Sequence, residues 1–369
     1  MTQAFVVSAK RTAVCPIGGA FKGLDHFELA APVIQDCLAA VGLRPDQVEE
    51  LILSNALGAG GNPARLAALA AGLPERVAGL TIDRQCAGGL DAIWLAAQMV
   101  RSGAAHVVVA GGTESYSRRP IRMHQGFDGA DPVAYDRPPF TPWPDRDPEM
   151  HAAAADLAQR MGISRAEMDD WAVASHAKAL VADMSGEITV LPPAPVTRDT
   201  FTRNLNPALC RRAKPISGDI SSANAAVSAD AAAFVVVVSA EVLHDHHLSG
   251  QRIVSGASVG ADPALPGLAP VAAIEAALRH GGLTPAGISL SEVMEAYAAQ
   301  GIACVRGAGL DPMTTNLGGG ALARGHPVGA SGAILAVRLF HELNRTGHLG
   351  LAAIAAAGGI GSALVLAAP

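Results

Sequence analysis

The segment Asp83-Arg84-Gln85-Cys86-Ala87-Gly88-Gly89-Leu90-Asp91-Ala92-Ile93 joins two stretches of different periodicity. A short run with strand character, residues 80–83, precedes it, and a run with helical spacing, residues 90–100, follows it. This pattern predicts that Cys86 lies at the turn from a strand into a helix N-terminus. The free N–H groups and the positive dipole end of a helix N-terminus favour a thiolate over a thiol.

Cys86 has two interpretations. A lone cysteine beside a packing glycine pair is more often a buried structural residue. Alternatively, Cys86 is a nucleophile that a substrate approaches closely, because Gly88 and Gly89 carry no side chains. Features elsewhere in the chain favour the nucleophile.

Composition indicates a large, well-buried globular protein. The chain has 369 residues, of which 50% are hydrophobic and 16% are charged. This length predicts two domains or two fused halves, since a single core rarely grows so large. Strand patterns alternate with helix patterns along most of the chain, which predicts an α/β fold with a largely buried sheet.

Charge and cysteine usage exclude several classes of protein. A net charge of −6 offers no basic surface for nucleic acid or for an anionic membrane. The five cysteines are scattered without a C-x-x-C pair, which predicts no disulfide framework and no zinc site. The first ten residues lack the pattern of a secretory signal peptide, and the longest apolar runs fit buried strands. These features predict a cytoplasmic protein without membrane spans.

Residues 116–214 differ from the regular pattern on either side. Prolines, charges and most of the Trp and Tyr residues cluster there. Helical patterns at residues 150–161 and 164–181 show that it is an insertion with its own helices, and Ser164 and Glu167 stand at the spacing of a capping box. Such insertions usually cover an active site or form a subunit interface.

An internal repeat relates the two ends of the chain. After Cys86 come a glycine pair, a helix, an apolar strand and Ala-Gly-Gly at residues 110–112. The turn at residues 325–332, which contains His326, likewise precedes a helix, a strand and Ala-Gly-Gly at residues 357–359. Two halves packed with these turns facing each other would bring Cys86 and His326 together. An imidazole beside a thiol is a common way to activate a cysteine nucleophile.

These motifs resemble those of the thiolase family, and the resemblance covers the whole chain. It rests on segments that stand in the family's order: residues 7–12, 62–65, 83–86, 111–115, 155–178, 254–263 and 318–332. The resemblance implies two duplicated halves layered α-β-α-β-α, with an inserted covering or oligomerisation loop. The N-terminal half would span residues 1–245, including the insertion at about 116–214, and the C-terminal half residues 246–369.

The resemblance also implies a function and partners. The substrate would be a coenzyme A thioester, with no further cofactor and no metal, and the protein would be a homodimer or homotetramer. Cys86 would accept the acyl group, and His326 would activate Cys86 and help to bind the thioester oxygen. The backbone N–H groups of Cys86 and Ala357 would form a second oxyanion hole. The expected substrate-binding residues are Ser255, Met294, Ala296 and Met150.

Two positions depart from the family pattern. The family's Asn-Glu-Ala-Phe is here Met294-Glu295-Ala296-Tyr297, and methionine cannot donate the hydrogen bond of the asparagine. The family's second catalytic cysteine is here Ala355, which cannot transfer a proton. In addition, a glycine of the covering loop is here His151.

Three hypotheses follow. The first is an acyl-CoA acyltransferase of the acetyl-CoA C-acyltransferase type, in which Glu295 or Tyr297 replaces a missing group; an intact Cys86–His326 pair favours it. The second is an acyltransferase that uses an oxygen, nitrogen or non-CoA carbon acceptor. The third is a non-catalytic CoA-binding or scaffold subunit. By themselves, Glu295 is more often a structural acceptor and Tyr297 a packing residue.

Overall fold

The computed structural model describes residues 2–58 and 60–369. Its strands are β1 (Ala4–Arg11), β2 (Cys15–Pro16), β3 (Glu50–Ser54), β4 (Leu80–Ile82), β5 (Val107–Ser115), β6 (Arg122–His124), β7 (Val133–Tyr135), β8 (Pro215–Ser217), β9 (Ile220–Ser221), β10 (Ala229–Ser239), β11 (Gln251–Gly260), β12 (Leu290–Val293), β13 (Leu349–Ala356) and β14 (Ile360–Ala367). Its helices are α1 (His26–Ala39), α2 (Pro63–Ala70), α3 (Gly88–Ser102), α4 (Met150–Arg160), α5 (Arg165–Val181), α6 (Pro207–Arg212), α7 (Ala240–Asp245), α8 (Ala269–Gly281), α9 (Ala298–Gly307), α10 (Ala321–Arg324) and α11 (Val328–Thr346).

One mixed sheet runs through the molecule in the order β12-β13-β14-β11-β1-β10-β5-β3-β4, and the short β2 pairs with β10. The order mirrors itself about the junction of β11 and β1, which meet through the pairs Phe5–Arg252 and Val6–Gln251. On one side of the junction stand β1, β10, β5 and β3, and on the other β11, β14, β13 and β12. The sequence repeat is therefore visible as a repeat of strand order.

Helices separate and cover the two parts of the sheet. Helices α3 and α11 pack against each other and contact both β5 and β10 on one side and strands of the second part on the other. Helix α1 covers the outer face of β10 and β5, and α8 covers the outer face of β11 and β14. The layers are thus α-β-α-β-α, as expected, with the Cys86 and His326 helices forming the central layer.

Local sequence explains the main elements. All residues of β10 are buried, which fits its continuous Ala- and Val-rich run in a sheet covered on both faces. Helix α3 ends at Ser102 and is capped by Gly103, whose φ of 76° is the left-handed conformation that glycine adopts readily. Strand β5 is longer than the sequence pattern predicts, because residues 111–115 stay paired with β10.

The inserted segment folds over the sheet. Its helices α4 and α5 pack on α9, and β6 pairs with β7 in a hairpin. Ser164 caps α5, its Oγ accepting from the Glu167 N–H at 3.3 Å. The Glu167 carboxylate pairs with Arg306 of α9, so only one contact of the predicted capping box forms. Across residues 2–58 and 60–369, none of the helices combines the length and the apolar character needed to cross a membrane.

Candidate active site

Cys86 lies two residues before the first residue of α3, at the turn that follows β4. The preceding Gln85 has φ = 50°, a left-handed conformation that is uncommon for a residue with a side chain. The turn thus places Cys86 at a helix N-terminus, as the sequence predicts.

The glycine pair after Cys86 serves packing. A Cβ on Gly88 would lie 2.1 Å from Ser54 Oγ, and a Cβ on Gly89 would lie 2.7 Å from Ala333 N of α11. Both glycines are buried. The expectation that they open the approach of a substrate is therefore wrong: they allow α3 to approach β3 and α11 closely.

His326 lies in the turn before α11, two residues ahead of its first residue. Its backbone N–H donates to Val227 O at 2.7 Å, which ties the turn to the segment before β10. Its Nε2 lies 3.1 Å from Cys86 Sγ, so the structure brings together two residues that are 240 positions apart.

The partners of His326 determine which ring nitrogen carries the hydrogen. Ser331 Oγ donates to Pro327 O at 2.9 Å, and His326 Nδ1 lies 2.6 Å from the same Oγ. Because the hydroxyl has one hydrogen, its oxygen must accept from Nδ1–H. Nε2 is then the unprotonated nitrogen and accepts from the thiol of Cys86.

Burial sets the resting charge of this pair. It raises the pKa of the Cys86 thiol to about 12, and it lowers the pKa of His326 to about 4. Both directions favour a neutral thiol beside a neutral imidazole, and they outweigh the preference of the helix terminus for a thiolate. Proton transfer from Sγ to Nε2 would accompany attack of the sulfur on a carbonyl carbon.

Glu114, near the end of β5, joins the loop after β3 to the first turn of α11. Its carboxylate accepts from Asn55 Nδ2 at 2.9 Å, Ala56 N at 3.1 Å and Gly329 N in α11 at 2.9 Å. Burial raises its pKa to about 7. The sequence motif around Glu114 gave no sign of this positioning role, since the partners are distant in sequence.

A cavity of about 340 Å³ opens beside Cys86 and His326. Its wall comes from the turns of both halves, from the segment after β13, and from the inserted segment. The lining residues are Leu57, Gln85, Cys86, Tyr116, Arg122, Asp136, Arg137, Pro138, Phe140, Met150, His151, Ala153, Ala154, Leu157, Ala226, Ser228, Pro266, Gly267, Ala296, Tyr297, Gln300, His326, Val328, Ala355, Ala356 and Ala357.

Residues 122–157 contribute a large part of this wall, including Arg122, Arg137 and Phe140. The sequence indicated a covering segment here through its clustered prolines and aromatic residues, but it gave no sign of which side chains face the cavity. The inserted segment therefore forms one side of the site.

The predicted site residues divide into two groups. Met150, Ala296, Ala355 and Ala357 line the cavity together with the Cys86–His326 pair. Ala357 lies in the turn between β13 and β14. In the turns and loops that the structure describes, neither the Ala357 N–H nor the Cys86 N–H donates to a backbone carbonyl.

Two substrate-binding assignments need correction. Ser255 is 2% exposed, and its Oγ donates to Ala277 O of α8 at 2.7 Å, so its hydroxyl faces the outer helix layer. Met294 is 1% exposed and packs in the central hydrophobic core. Both side chains lie outside the cavity wall because they fill the contacts between helices and sheet.

Glu295 and Tyr297 have different surroundings although they are close in sequence. The Glu295 carboxylate is buried and accepts from Trp171 Nε1 at 2.9 Å, Ser175 Oγ at 2.7 Å and Asn316 Nδ2 at 2.8 Å. Its hydrogen bonds join α5 to the segments around β12, so Glu295 is structural. Tyr297 instead lines the cavity.

Family models match nearly the whole chain. Residues 4–241 match the model of the thiolase N-terminal domain, and residues 249–368 match that of the thiolase C-terminal domain. A protein of Staphylococcus aureus strain COL named "Probable acetyl-CoA acyltransferase" is 35% identical over 394 residues, covering 99% of each chain.

Solved structures of similar enzymes also match the chain over its whole length. The acetyl-CoA acetyltransferase of Bacillus anthracis superposes with a TM-score of 0.93 at 33% identity, covering 100% of this chain and 99% of that one. Human mitochondrial 3-ketoacyl-CoA thiolase in complex with CoA superposes with a TM-score of 0.92 at 30% identity, covering 100% of this chain and 98% of that one. With both family models and these full-length similarities, the chain is a member of the thiolase family.

Proposed function

We propose that this protein is an acyl-CoA acyltransferase of the acetyl-CoA C-acyltransferase type, which works through an acyl-enzyme on Cys86. The observation that carries the proposal is the 3.1 Å contact between Cys86 Sγ and the unprotonated Nε2 of His326. The names of the similar proteins, an acetyl-CoA acyltransferase and a 3-ketoacyl-CoA thiolase bound to CoA, support a coenzyme A thioester as substrate. No further cofactor is proposed.

Acylation then follows from the geometry. Cys86 Sγ attacks the thioester carbonyl carbon while its proton passes to His326 Nε2. The carbonyl oxygen gains negative charge, which the N–H groups of Cys86 and Ala357 stabilise as donors. The bond to the CoA sulfur breaks, and His326 returns its proton to that sulfur. Ser331 keeps the ring in the productive tautomer by accepting from Nδ1–H throughout.

Ala355 favours a second candidate function. Its methyl group lines the cavity but cannot move a proton, whereas carbon–carbon bond cleavage requires a proton donor. An acyltransferase that passes the acyl group to an oxygen, nitrogen or non-CoA carbon acceptor does not need that donor at position 355. The two candidates share acylation of Cys86 and differ in the second half of the reaction. The intact pair argues against a purely scaffolding subunit.

Exchange of CoA between acyl-CoA and isotopically labelled CoA tests the shared step, since it requires an acyl-enzyme but no carbon–carbon chemistry. We expect exchange with at least one of acetyl-, propionyl- and longer acyl-CoAs, monitored by mass spectrometry. Cys86→Ala should abolish it, and Cys210→Ala, which changes a buried cysteine of α6 away from the cavity, should not. Unchanged exchange in Cys86→Ala, or no exchange in the folded wild type with any donor, would contradict the proposal.

We also propose a homodimer or homotetramer in a cytoplasmic location. The hairpin of β6 and β7 and its surroundings support the oligomer, since they expose large apolar side chains, among them Ile121 at 85% and Phe127 at 88% exposure. The five cysteines are free, which fits a reducing compartment. Light scattering after size-exclusion chromatography should give two or four times the chain mass of 37.4 kDa, and a monomer would refute the oligomer.

A further inference from the structure

Cleavage of a β-ketoacyl thioester by Cys86 would need a second proton-transfer group in the cavity. When Sγ attacks the keto carbon, His326 Nε2 takes the thiol proton. The leaving group is a carbanion at the carbon next to the thioester, and it must receive a proton from elsewhere. This reasoning rests on the proposed function, because it assumes the Cys86 acyl-enzyme.

Few side chains of the cavity can supply that proton. Gln300 is occupied, its Oε1 accepting from Ala296 N and its Nε2 donating to Cys304 Sγ. Asp136 and His151 are exposed to solvent. Tyr116 lies under the guanidinium of Arg119, whose carbon is 4.7 Å from the ring centroid.

Tyr297 is the remaining side chain of the cavity wall that can donate a proton, and hydrogen bonds fix its backbone. It is the N-cap residue of α9, and its carbonyl accepts from Gly301 N at 3.1 Å. The neighbouring Ala296 O accepts from Ala226 N at 2.9 Å, and Ala298 N donates to Asn224 O at 2.9 Å. The backbone on both sides of Tyr297 is therefore fixed to the segment before β10.

The side chain of Tyr297 is also restrained and available. The ring of His151 packs against it edge-on, with centroids 5.5 Å apart. Tyr297 lines the same cavity as Cys86 and His326. Burial raises the pKa of Tyr297, and the charge of a Cys86 thiolate raises it further. The phenol therefore stays protonated at neutral pH.

We propose that Tyr297 is a catalytic residue of this protein: its phenol donates the proton to the carbanion that leaves when Cys86 cleaves a β-ketoacyl thioester. In this step the Cys86 Sγ–carbon bond forms and the bond between the α-carbon and the keto carbon breaks. The electron pair of the broken bond goes to the α-carbon, which takes the Tyr297 proton. A phenolate remains on Tyr297 and an imidazolium on His326.

The second half of the reaction restores both groups. The thiol of CoA attacks the acyl-enzyme, and its proton passes to the Tyr297 phenolate. Cys86 leaves as a thiolate and takes its proton back from His326. No oxidant, reductant or metal enters the balance.

The two routes to the same acyl-enzyme differ in their need for Tyr297. With a simple acyl-CoA the leaving group is a thiolate, which is stable because thiols ordinarily ionise near pH 8.5. With a β-ketoacyl-CoA the leaving group is a much more basic carbanion. A group that merely supports the cavity would affect both routes alike, whereas a proton donor to carbon affects only the second.

The test is single-turnover acylation of the full-length protein, followed by intact-protein mass spectrometry with two donors, butyryl-CoA and 3-ketohexanoyl-CoA, which yield the same acyl-enzyme. Tyr297→Phe removes only the phenolic oxygen. We expect it to slow acylation from the ketoacyl donor by about 10²–10⁴-fold and to leave acylation from the acyl donor within about threefold of wild type. Tyr135→Phe, which removes a phenol of β7 outside the cavity wall, should change neither rate by more than that.

The outcomes separate this inference from the proposed function. Equal rates in Tyr297→Phe and wild type would overturn the role of Tyr297. So would equal slowing with both donors in Tyr297→Phe, or the same selective slowing in Tyr135→Phe. A wild type that is acylated by butyryl-CoA but not by the ketoacyl donor would overturn that role and leave the acyl-enzyme standing. A wild type that neither donor acylates would overturn the proposed function itself.

Discussion

At the residue scale, the hydrogen bond between His326 and Ser331 decides whether Cys86 faces a base. Ser331 Oγ is committed as a donor to Pro327 O, so it can only accept from the ring. Replacement of Ser331 by alanine would leave the His326 imidazole free to exchange between its two neutral tautomers.

We therefore expect Ser331→Ala to lower the rate of acyl-enzyme formation by about 5–150-fold, the equivalent of one lost buried hydrogen bond of about 1–3 kcal/mol. Single-turnover acylation with acetyl-CoA measures it. Ser331→Thr keeps a hydroxyl and is the matched control. A rate in Ser331→Ala equal to that of wild type would show that Ser331 does not set the tautomer.

The pH dependence of acylation follows from the two shifted groups. His326 loses its function as a base only when it is protonated, below its lowered pKa of about 4. Cys86 becomes a thiolate only above its raised pKa of about 12. Between these limits the pair stays neutral, so neither Cys86 nor His326 should change the single-turnover acylation rate between about pH 5.5 and 9.5. Glu114, whose pKa burial raises to about 7, also titrates in that range. A tenfold change with a midpoint inside the range that persists in Glu114→Gln would contradict the neutral pair.

At the element scale, close approach of β5 and α11 positions the His326 turn. A Cβ on Gly112 of β5 would lie 2.0 Å from Gly329 O in the first turn of α11. The neighbouring Glu114 accepts from Gly329 N. Any side chain at position 112 would push α11 away from the Cys86 turn.

Gly112→Ala is expected to lower the free energy of unfolding by about 1–3 kcal/mol and to slow acylation. Urea unfolding and single-turnover acylation check the two effects. Gly23→Ala is the control, because a Cβ there meets nothing within 4 Å and φ is not positive. If Gly112→Ala were as stable and as active as Gly23→Ala, α11 would not depend on this contact.

Elements also show where sequence reasoning succeeds and fails. The repeated turn–helix–strand unit predicted that Cys86 and His326 meet, because equivalent turns of packed halves face each other. The role of Ser255 was mispredicted. The register of β11 shifts between Ile253 and Ser255, and such a bulge changes which face of the sheet the following side chains occupy. The family resemblance on which that assignment rested does not show which face of the sheet a side chain occupies after a bulge.

At the scale of the whole molecule, a buried ionic network joins both halves to the inserted segment. Glu187 accepts from Arg11 Nε of β1 at 3.0 Å and from Arg338 Nη1 of α11 at 2.5 Å. Asp199 also accepts from Arg11, at 2.7 Å. Separations of 151 to 188 residues explain why no sequence pattern predicts this network.

Glu187→Ala would leave two buried guanidinium groups without one of their partners, and we expect a loss of about 3–5 kcal/mol in the free energy of unfolding. The control is Asp183→Asn, which breaks the exposed pair with Arg345 and should cost about 0–1 kcal/mol. Urea unfolding of both variants measures the difference. Equal stability of Glu187→Ala and wild type would show that the network does not hold the insertion.

Acid should weaken the same network. Burial alone would raise the pKa of Glu187, but Arg11 and Arg338 outweigh it, so the folded-state pKa lies below the usual value. The stabilisation is therefore fully present above the unfolded pKa of about 4.3 and is lost as the pH falls through the folded one. The stability difference between wild type and Glu187→Ala should shrink as the pH falls below about 4. A difference that grows on acidification would contradict this assignment.

The central claim is that Cys86 carries the acyl group, and intact-protein mass spectrometry after mixing with acyl-CoA tests it most directly. We expect a mass increase equal to the acyl group minus one hydrogen. It should be located on Cys86 by peptide mapping, absent in Cys86→Ala and retained in Cys210→Ala. Folded wild-type protein that gains no mass with acetyl-, propionyl- or longer acyl-CoAs, or that carries the acyl group on another residue, would contradict it.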